Sequence, residues 1–155
     1  MTGLRNGCIK TFALFLTAVA MAFLAAASAQ AASVKEIFEK YHLFGTFSYD
    51  CTKPADKKNL YFVNRAIDAD HVQRDIMSGT ITRDYIVIYD KVEELKPNEI
   101  RVTGVLDGEP AEGVYRIEQN RMLQWYSKVN GKENIRDGIF LATNYKLPYL
   151  NRCGD

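Results

Sequence analysis

The sequence predicts an all-β fold with one short N-terminal helix: an antiparallel up-and-down meander of about eight strands, closed into a barrel. Three observations predict it. After Gly45 the apolar residues recur in short runs rich in strand formers, with a spacing of two in place of the helical spacing. Tight-turn pairs, Asp107-Gly108 and Asn130-Gly131, separate several of these runs. No helical pattern lies between them, which excludes repeated βαβ units and leaves antiparallel neighbours.

The chain opens on a different pattern. Arg5 and Lys10 precede an apolar run at 12–24, followed by small residues. Ala27-Ser28-Ala29 and Ala29-Gln30-Ala31 both fit a signal-peptidase site. Basic, apolar, small is the order of a secretory leader. The apolar run is short for a retained anchor, which needs roughly 20 residues. Residues 1–31 are therefore expected to be a cleaved signal peptide and 32–155 one domain, periplasmic or secreted, in a bacterial envelope. Cys8 lies before the apolar run and leaves with the leader.

The domain begins with Ser33-Val34-Lys35-Glu36, a capping-box pattern. Val34, Ile37, Phe38 and Tyr41 then share one helical face. His42 ends the helix, near the negative end of its dipole. In the first strand Phe47, Tyr49 and Cys51 face one way and Thr46, Ser48 and Asp50 the other. Residues 52–59, with Pro54, read as a loop. Strands follow at 60–67 and 72–77 around a turn at 68–70, then at 80–89. Residues 90–98 read as a charged loop ending at Pro97-Asn98. Further strands are expected at 100–106, 113–118 and 122–129, with an eighth within 133–141 and a tail from 142 that carries Pro148.

Eight strands left open would expose two bare edges, and closure removes both. A curved open meander with the helix packed on one face is the alternative. Cys51 and Cys153 support closure. An even cysteine count in an exported domain reads as a disulfide. In a closed meander the first strand, ended by Cys51, lies beside the last, followed by Cys153. Residues 141–153 can span up to about 40 Å, enough to cross back along a barrel.

Charge and motifs exclude several functions. Lys and Arg number 20 against 19 Asp and Glu, and removing the leader leaves the domain near neutral. A nucleic-acid partner has no electrostatic support. The mature chain has two histidines, His42 and His71, with no Gly-x-Ser-x-Gly, no phosphate-binding glycine loop and no Cys-x-x-Cys. The expectation is a non-enzymatic protein without a cofactor and, once processed, without a transmembrane anchor.

One polar cluster stands out: Asp68, Asp70, His71, Arg74 and Asp75. Asp68, Asp70 and His71 carry metal-ligand atoms, yet aspartates also collect at turns because they bond their own backbone. A third reading has Arg74 or His71 meeting the anionic head of a ligand. The nine tyrosines join an apolar ring to a polar tip, which suits an amphipathic pocket. The candidate ligand-binding residues are Tyr49, Tyr61, His71, Arg74, Tyr85 and Trp125. An eight-stranded barrel is either filled or holds one small ligand, and the sequence fits both.

The short helix leading into Gly45-Thr46-Phe47, the strand count and the C-terminal cysteine resemble the lipocalin and calycin group. Phenylalanine stands where lipocalins carry tryptophan, and neither Arg136 nor Arg152 is a sure equivalent of their conserved arginine. The segments Gly45-Thr46-Phe47-Ser48-Tyr49-Asp50-Cys51 and Leu150-Asn151-Arg152-Cys153 also resemble small exported bacterial proteins of unassigned function. These resemblances imply a barrel and export, and supply no activity. Three functions follow as expectations. The first is a barrel that binds a small apolar or amphipathic ligand. The second is an envelope protein-interaction module with a filled core, using 90–98 as its contact loop. The third is a metal-assisted enzyme at Asp68, Asp70 and His71.

Overall fold

A computed structural model describes residues 32–79, 81 and 83–154. The expected leader, residues 1–31, lies outside the described residues. Among those described, no helix is long and apolar enough to cross a membrane.

Helix α1 spans Val34–Lys40. Its capping box forms as expected: the Glu36 amide donates to Ser33 Oγ at 3.2 Å and the Ser33 amide to Glu36 Oε2 at 2.8 Å. A helix this short is not stable alone. Val34, Ile37 and Phe38 bury its apolar face against the strands.

Seven strands then run as an antiparallel meander: β1 (Gly45–Ser48), β2 (Tyr61–Ala66), β3 (Val72–Met77), β4 (Arg83–Lys96), β5 (Glu99–Leu106), β6 (Glu109–Glu118) and β7 (Arg121–Val129). Beyond them come β8 (Lys132–Arg136), β9 (Ile139–Phe140), β10 (Tyr145–Lys146) and β11 (Leu150–Cys153). The barrel closes through β11. It pairs with β1 through Phe47↔Arg152 and with β7 through Leu150↔Met122. The result is a closed eight-stranded antiparallel barrel, β1 to β7 plus β11, with three extra strands.

The closing strand is therefore not the one expected within 133–141. β8 pairs only with the C-terminal end of β7, through Ser127↔Ile135 and Val129↔Lys132. It then leads away as a small flap of β8, β9 and β10. The edge of β7 is shared, its first residues holding β11 and its last holding β8. Between them the Gly138 amide donates to the Trp125 carbonyl at 2.9 Å. Gly138 has φ +72°, and the Trp125 ring lies 3.6 Å from where a Cβ would stand.

The charged segment 90–98 is mostly strand, which corrects the expected loop. β4 continues to Lys96 and pairs with β5 through Val92↔Val102 and Glu94↔Ile100. Asp90 and Leu95 are skipped in the register, so each is an extra residue that bends the strand. Gly104, opposite Tyr89, makes the first bend possible: a Cβ there would lie 1.9 Å from the Ile88 carbonyl oxygen. The charges face outward and pair with neighbours, Lys40 with Glu94 at 2.5 Å and Arg101 with Glu93 at 3.3 Å. Charge on an exposed strand face imitates the composition of a loop.

β1 is also shorter than expected. It ends at Ser48, and Cys51 sits in the following turn. Cys51 and Cys153 form a disulfide with a Cα–Cα distance of 5.2 Å. Cys153 lies within the closing strand, opposite Thr46, and not after it. The bond joins the closing strand to the loop after β1, residues 49–60. Asn59 holds that loop together. Its Oδ1 accepts from Ser48 Oγ at 2.9 Å and from the Asp50 amide at 3.0 Å, and its Nδ2 donates to the Asp50 carbonyl at 2.9 Å.

Candidate functional site

The inner faces of the strands divide the barrel into two halves. The helix closes one end. There Phe38 stacks against Phe44 and Tyr89, with ring centroids 5.7 and 5.8 Å apart. Below it, Phe47, Val72, Ile100, Met122 and Leu150 fill the interior. Toward the other end the inward positions on β6 and β7 become small: Ala111, Gly113 and Ser127, with Gly113 opposite Ser127. Small residues facing one another leave space, and a cavity of about 950 Å³ occupies this half. That lies at the upper end of the range for small-molecule pockets, about 300–1,000 Å³.

The cavity wall is mostly apolar, with Phe62, Ile76, Val87, Val102 and Leu106 contributed by the ladder. Where the edge of β7 passes from β11 to β8, side chains of the flap complete the wall: Ile135, Phe140, Tyr145, Leu147 and Pro148. Lys57 and Lys58 from the loop after β1 stand at the mouth and are exposed, as is Tyr145. Tyr49 packs edge-on against Phe62 at 6.2 Å. Burial raises the pKa of its hydroxyl.

Arg74 forms the floor. β3 turns Val72, Arg74 and Ile76 inward, and the guanidinium is 3% exposed. The hairpin register sets Asn64 directly opposite, and Arg74 Nε donates to Asn64 Oδ1 at 2.7 Å. Asn64 is held in turn by the Leu43 carbonyl, to which its Nδ2 donates at 2.6 Å. Arg74 Nη1 donates to the Tyr115 hydroxyl at 2.5 Å, and Nη2 meets only Met122 Sδ, at 3.5 Å. The guanidinium also lies over the Tyr115, Tyr89 and Phe62 rings, at 4.7, 5.5 and 5.8 Å from their centroids.

Among the described residues no carboxylate pairs with Arg74. Asp75, its neighbour in sequence, points outward and pairs with Arg65 and, at 3.6 Å, with Arg83. Burial works against the Arg74 cation, Tyr115 and Tyr89 outweigh it, and its pKa is raised. The side chain stays charged, as guanidinium does in proteins. Burial pushes the Tyr89 hydroxyl well above its ordinary pKa, so it is neutral. A buried ion carries a desolvation penalty of several kcal/mol. Cation–π contact returns about 2 kcal/mol when desolvated, and hydrogen bonds to neutral partners return about 1 kcal/mol each. Neutral oxygens and ring faces hold the charge in place of a carboxylate.

Of the residues read from the sequence as ligand-binding, Tyr49, Arg74 and Tyr85 line the cavity. Three others are placed elsewhere. Tyr61 faces outward, its hydroxyl donating to the Lys53 carbonyl at 2.7 Å. Trp125 is the extra residue of a bulge opposite Val114 and Tyr115, and Arg116 stacks on its outer face, 3.3 Å from the ring centroid. His71 lies at the helix end of the barrel, half-buried, with Nδ1 2.9 Å from Asp68 Oδ1. The Asp68 carboxylate also accepts from the Asp70 and His71 amides, each at 2.8 Å. Its pKa is lowered by the His71 side chain first and the Asp70 amide next. That carboxylate is spent on its own turn, and among the described residues no group of three metal-ligating side chains gathers. Asn64 was not singled out in the sequence, and Tyr89 and Tyr115, though among its strand tyrosines, were not among the candidate ligand-binding residues. Hairpin register around the 68–70 turn could have found Asn64, since it sets that residue opposite Arg74. Tyr115 comes from a strand distant in sequence, and only closure of the barrel brings it to Arg74.

Comparison with protein-family models, with curated proteins and with solved structures finds no match for this chain.

Proposed function

We propose that this protein is a non-enzymatic binding module that holds one small apolar or amphipathic molecule inside its barrel. The observation that carries the reading is the cavity of about 950 Å³, walled by apolar side chains and floored by a polar group. An apolar enclosure with a few convergent polar groups is the usual form of a small-molecule site. Large inward side chains fill the helix end of the barrel, and among the described residues none fills this one. The hollow interior supports this reading over an interaction module with a filled core. The extended course of β4 through Lys96 leaves such a module without the long contact loop expected for it.

The chain's disulfide fits an exported protein, since such bonds persist in oxidising compartments. In that setting the barrel would carry a water-insoluble molecule across, or store it within, the envelope. The test is purification under native conditions, followed by native mass spectrometry and solvent extraction. The expected result is a co-purified amphipathic small molecule, or a melting temperature raised by members of a lipid panel. A chain that carries nothing and whose melting is unmoved by the panel would overturn the reading.

A further inference from the structure

The floor of the cavity is a donor surface with a net positive charge. Arg74 Nε and Nη1 are engaged by neutral oxygens, and Nη2 has only a thioether for company. The Tyr115 hydroxyl oxygen accepts from Arg74, and it lies 3.2 Å from the Tyr89 hydroxyl. Two hydroxyl protons share that one contact. Whichever tyrosine donates, the proton of the other has no acceptor among the described residues. Asn64 presents its oxygen to Arg74 and spends Nδ2 on the Leu43 carbonyl. What the floor offers an occupant is therefore guanidinium N–H and one phenolic O–H, beside a cation with no carboxylate partner among the described residues. The complementary group is acceptor-only and carries one negative charge, which describes an ionised carboxylate.

We propose that the ligand is a long-chain monocarboxylate bound head-inward, its carboxylate on Arg74 and Tyr115 or Tyr89, its chain running along Phe62, Val87 and Leu106 toward the mouth. The inference rests on the reading of the barrel as a binding module, and adds the charge and orientation of the ligand to it. A dianionic head, such as a phosphate monoester, would bury a second charge with no partner. A neutral head would leave the guanidinium without a counter-charge. A cationic head would set two buried like charges together.

The test uses four C12 probes on the delipidated, disulfide-bonded domain, measured by calorimetry: dodecanoate, dodecanol, dodecylamine and dodecyl phosphate. Dodecanoate is expected to bind at least tenfold more tightly than each of the others. In Arg74→Gln the preference of dodecanoate over dodecanol is expected to vanish, while dodecanol binding persists. Equal binding of dodecanoate and dodecanol by the wild type would overturn the carboxylate inference and leave the binding module standing. Failure of all four probes to bind would overturn both. The wild-type series decides the matter even if the variant does not fold.

Discussion

The two halves of this barrel are built from the same strands and reach opposite outcomes. Near the helix, β5, β6, β7 and β11 turn Ile100, Ile117, Met122 and Leu150 inward, and α1 adds Ile37 and Phe38 from above. Toward the mouth, β6 and β7 turn Ala111, Gly113 and Ser127 inward, and among the described residues no helix covers them. Strand alternation is the same throughout, so backbone pattern does not distinguish core from cavity. Side-chain volume does. Interiors are close-packed where volume permits, and three small residues on two adjacent strands leave a cavity. Arg74 sits at the boundary, lining the cavity while its Nη2 meets Met122 of the filled half.

The largest test of that contrast is the bond that holds the closing strand. Cys51→Ser with Cys153→Ser opens a crosslink spanning 102 residues. Chain entropy puts the loss at up to about 4–5 kcal/mol, read as a lower urea midpoint. Equal melting of the oxidised and reduced chain would show that the ladder of β11 closes the barrel unaided.

Phe38→Ala should come next. Phe38 is 1% exposed in the filled half, and the truncation should cost about 3–5 kcal/mol. Tyr85→Ala, on the hollow side with 52% exposure, should cost well under that, about 1 kcal/mol or less. Similar losses at the two sites would erase the distinction between the halves.

Filling the cavity should have little effect on folding and a large one on binding. Ala111→Phe places a ring in the open space, where enlarging a packed core would cost about 1–3 kcal/mol. The expected outcome is a melting temperature within a few degrees of wild type and loss of the ligand-induced shift. Strong destabilisation by Ala111→Phe would mean that the space is already occupied by the protein's own side chains.

The smallest effect concerns acid. Asp50 lies in the mouth loop, and its pKa is lowered to about 2 by the Lys53 side chain first and the Thr52 hydroxyl and amide next. A carboxylate with a lowered pKa stabilises the fold above its unfolded value and loses that contribution as pH falls through the folded one. Between about pH 4 and 2 the mouth loop should loosen before the helix end does, seen as earlier loss of amide protection at Thr52 than at Phe38. Simultaneous loss would show that the loop is not a separate unit.

Much of the fold was legible because turns and alternation are local. Asp107-Gly108 and Asn130-Gly131 place their hairpins, and both pairs adopt positive φ. The span Val72–Met77 falls where its alternation puts it. What misled was exposure. The outer face of β4 is charged from Lys91 to Lys96 and reads as a loop, although Val92 continues the inward pattern opposite Val102. Half of the six candidate residues, Tyr49, Arg74 and Tyr85, do line the cavity. Trp125 was misplaced because one bulged residue turns it outward, and a bulge leaves no mark in composition.

By itself, the sequence determined the capped helix, most of the strands and the antiparallel connectivity, since each follows from contacts within a hairpin or a helical turn. The tertiary structure alone decided that β11, and not β8, closes the barrel, and that Tyr115 and Met122 meet Arg74 across more than forty residues of chain. It alone decided that Ala111, Gly113 and Ser127 face a common space. The reason is physical: a cavity and a missing counter-charge are properties of what is not there, and an absence takes shape only when the surrounding wall has closed.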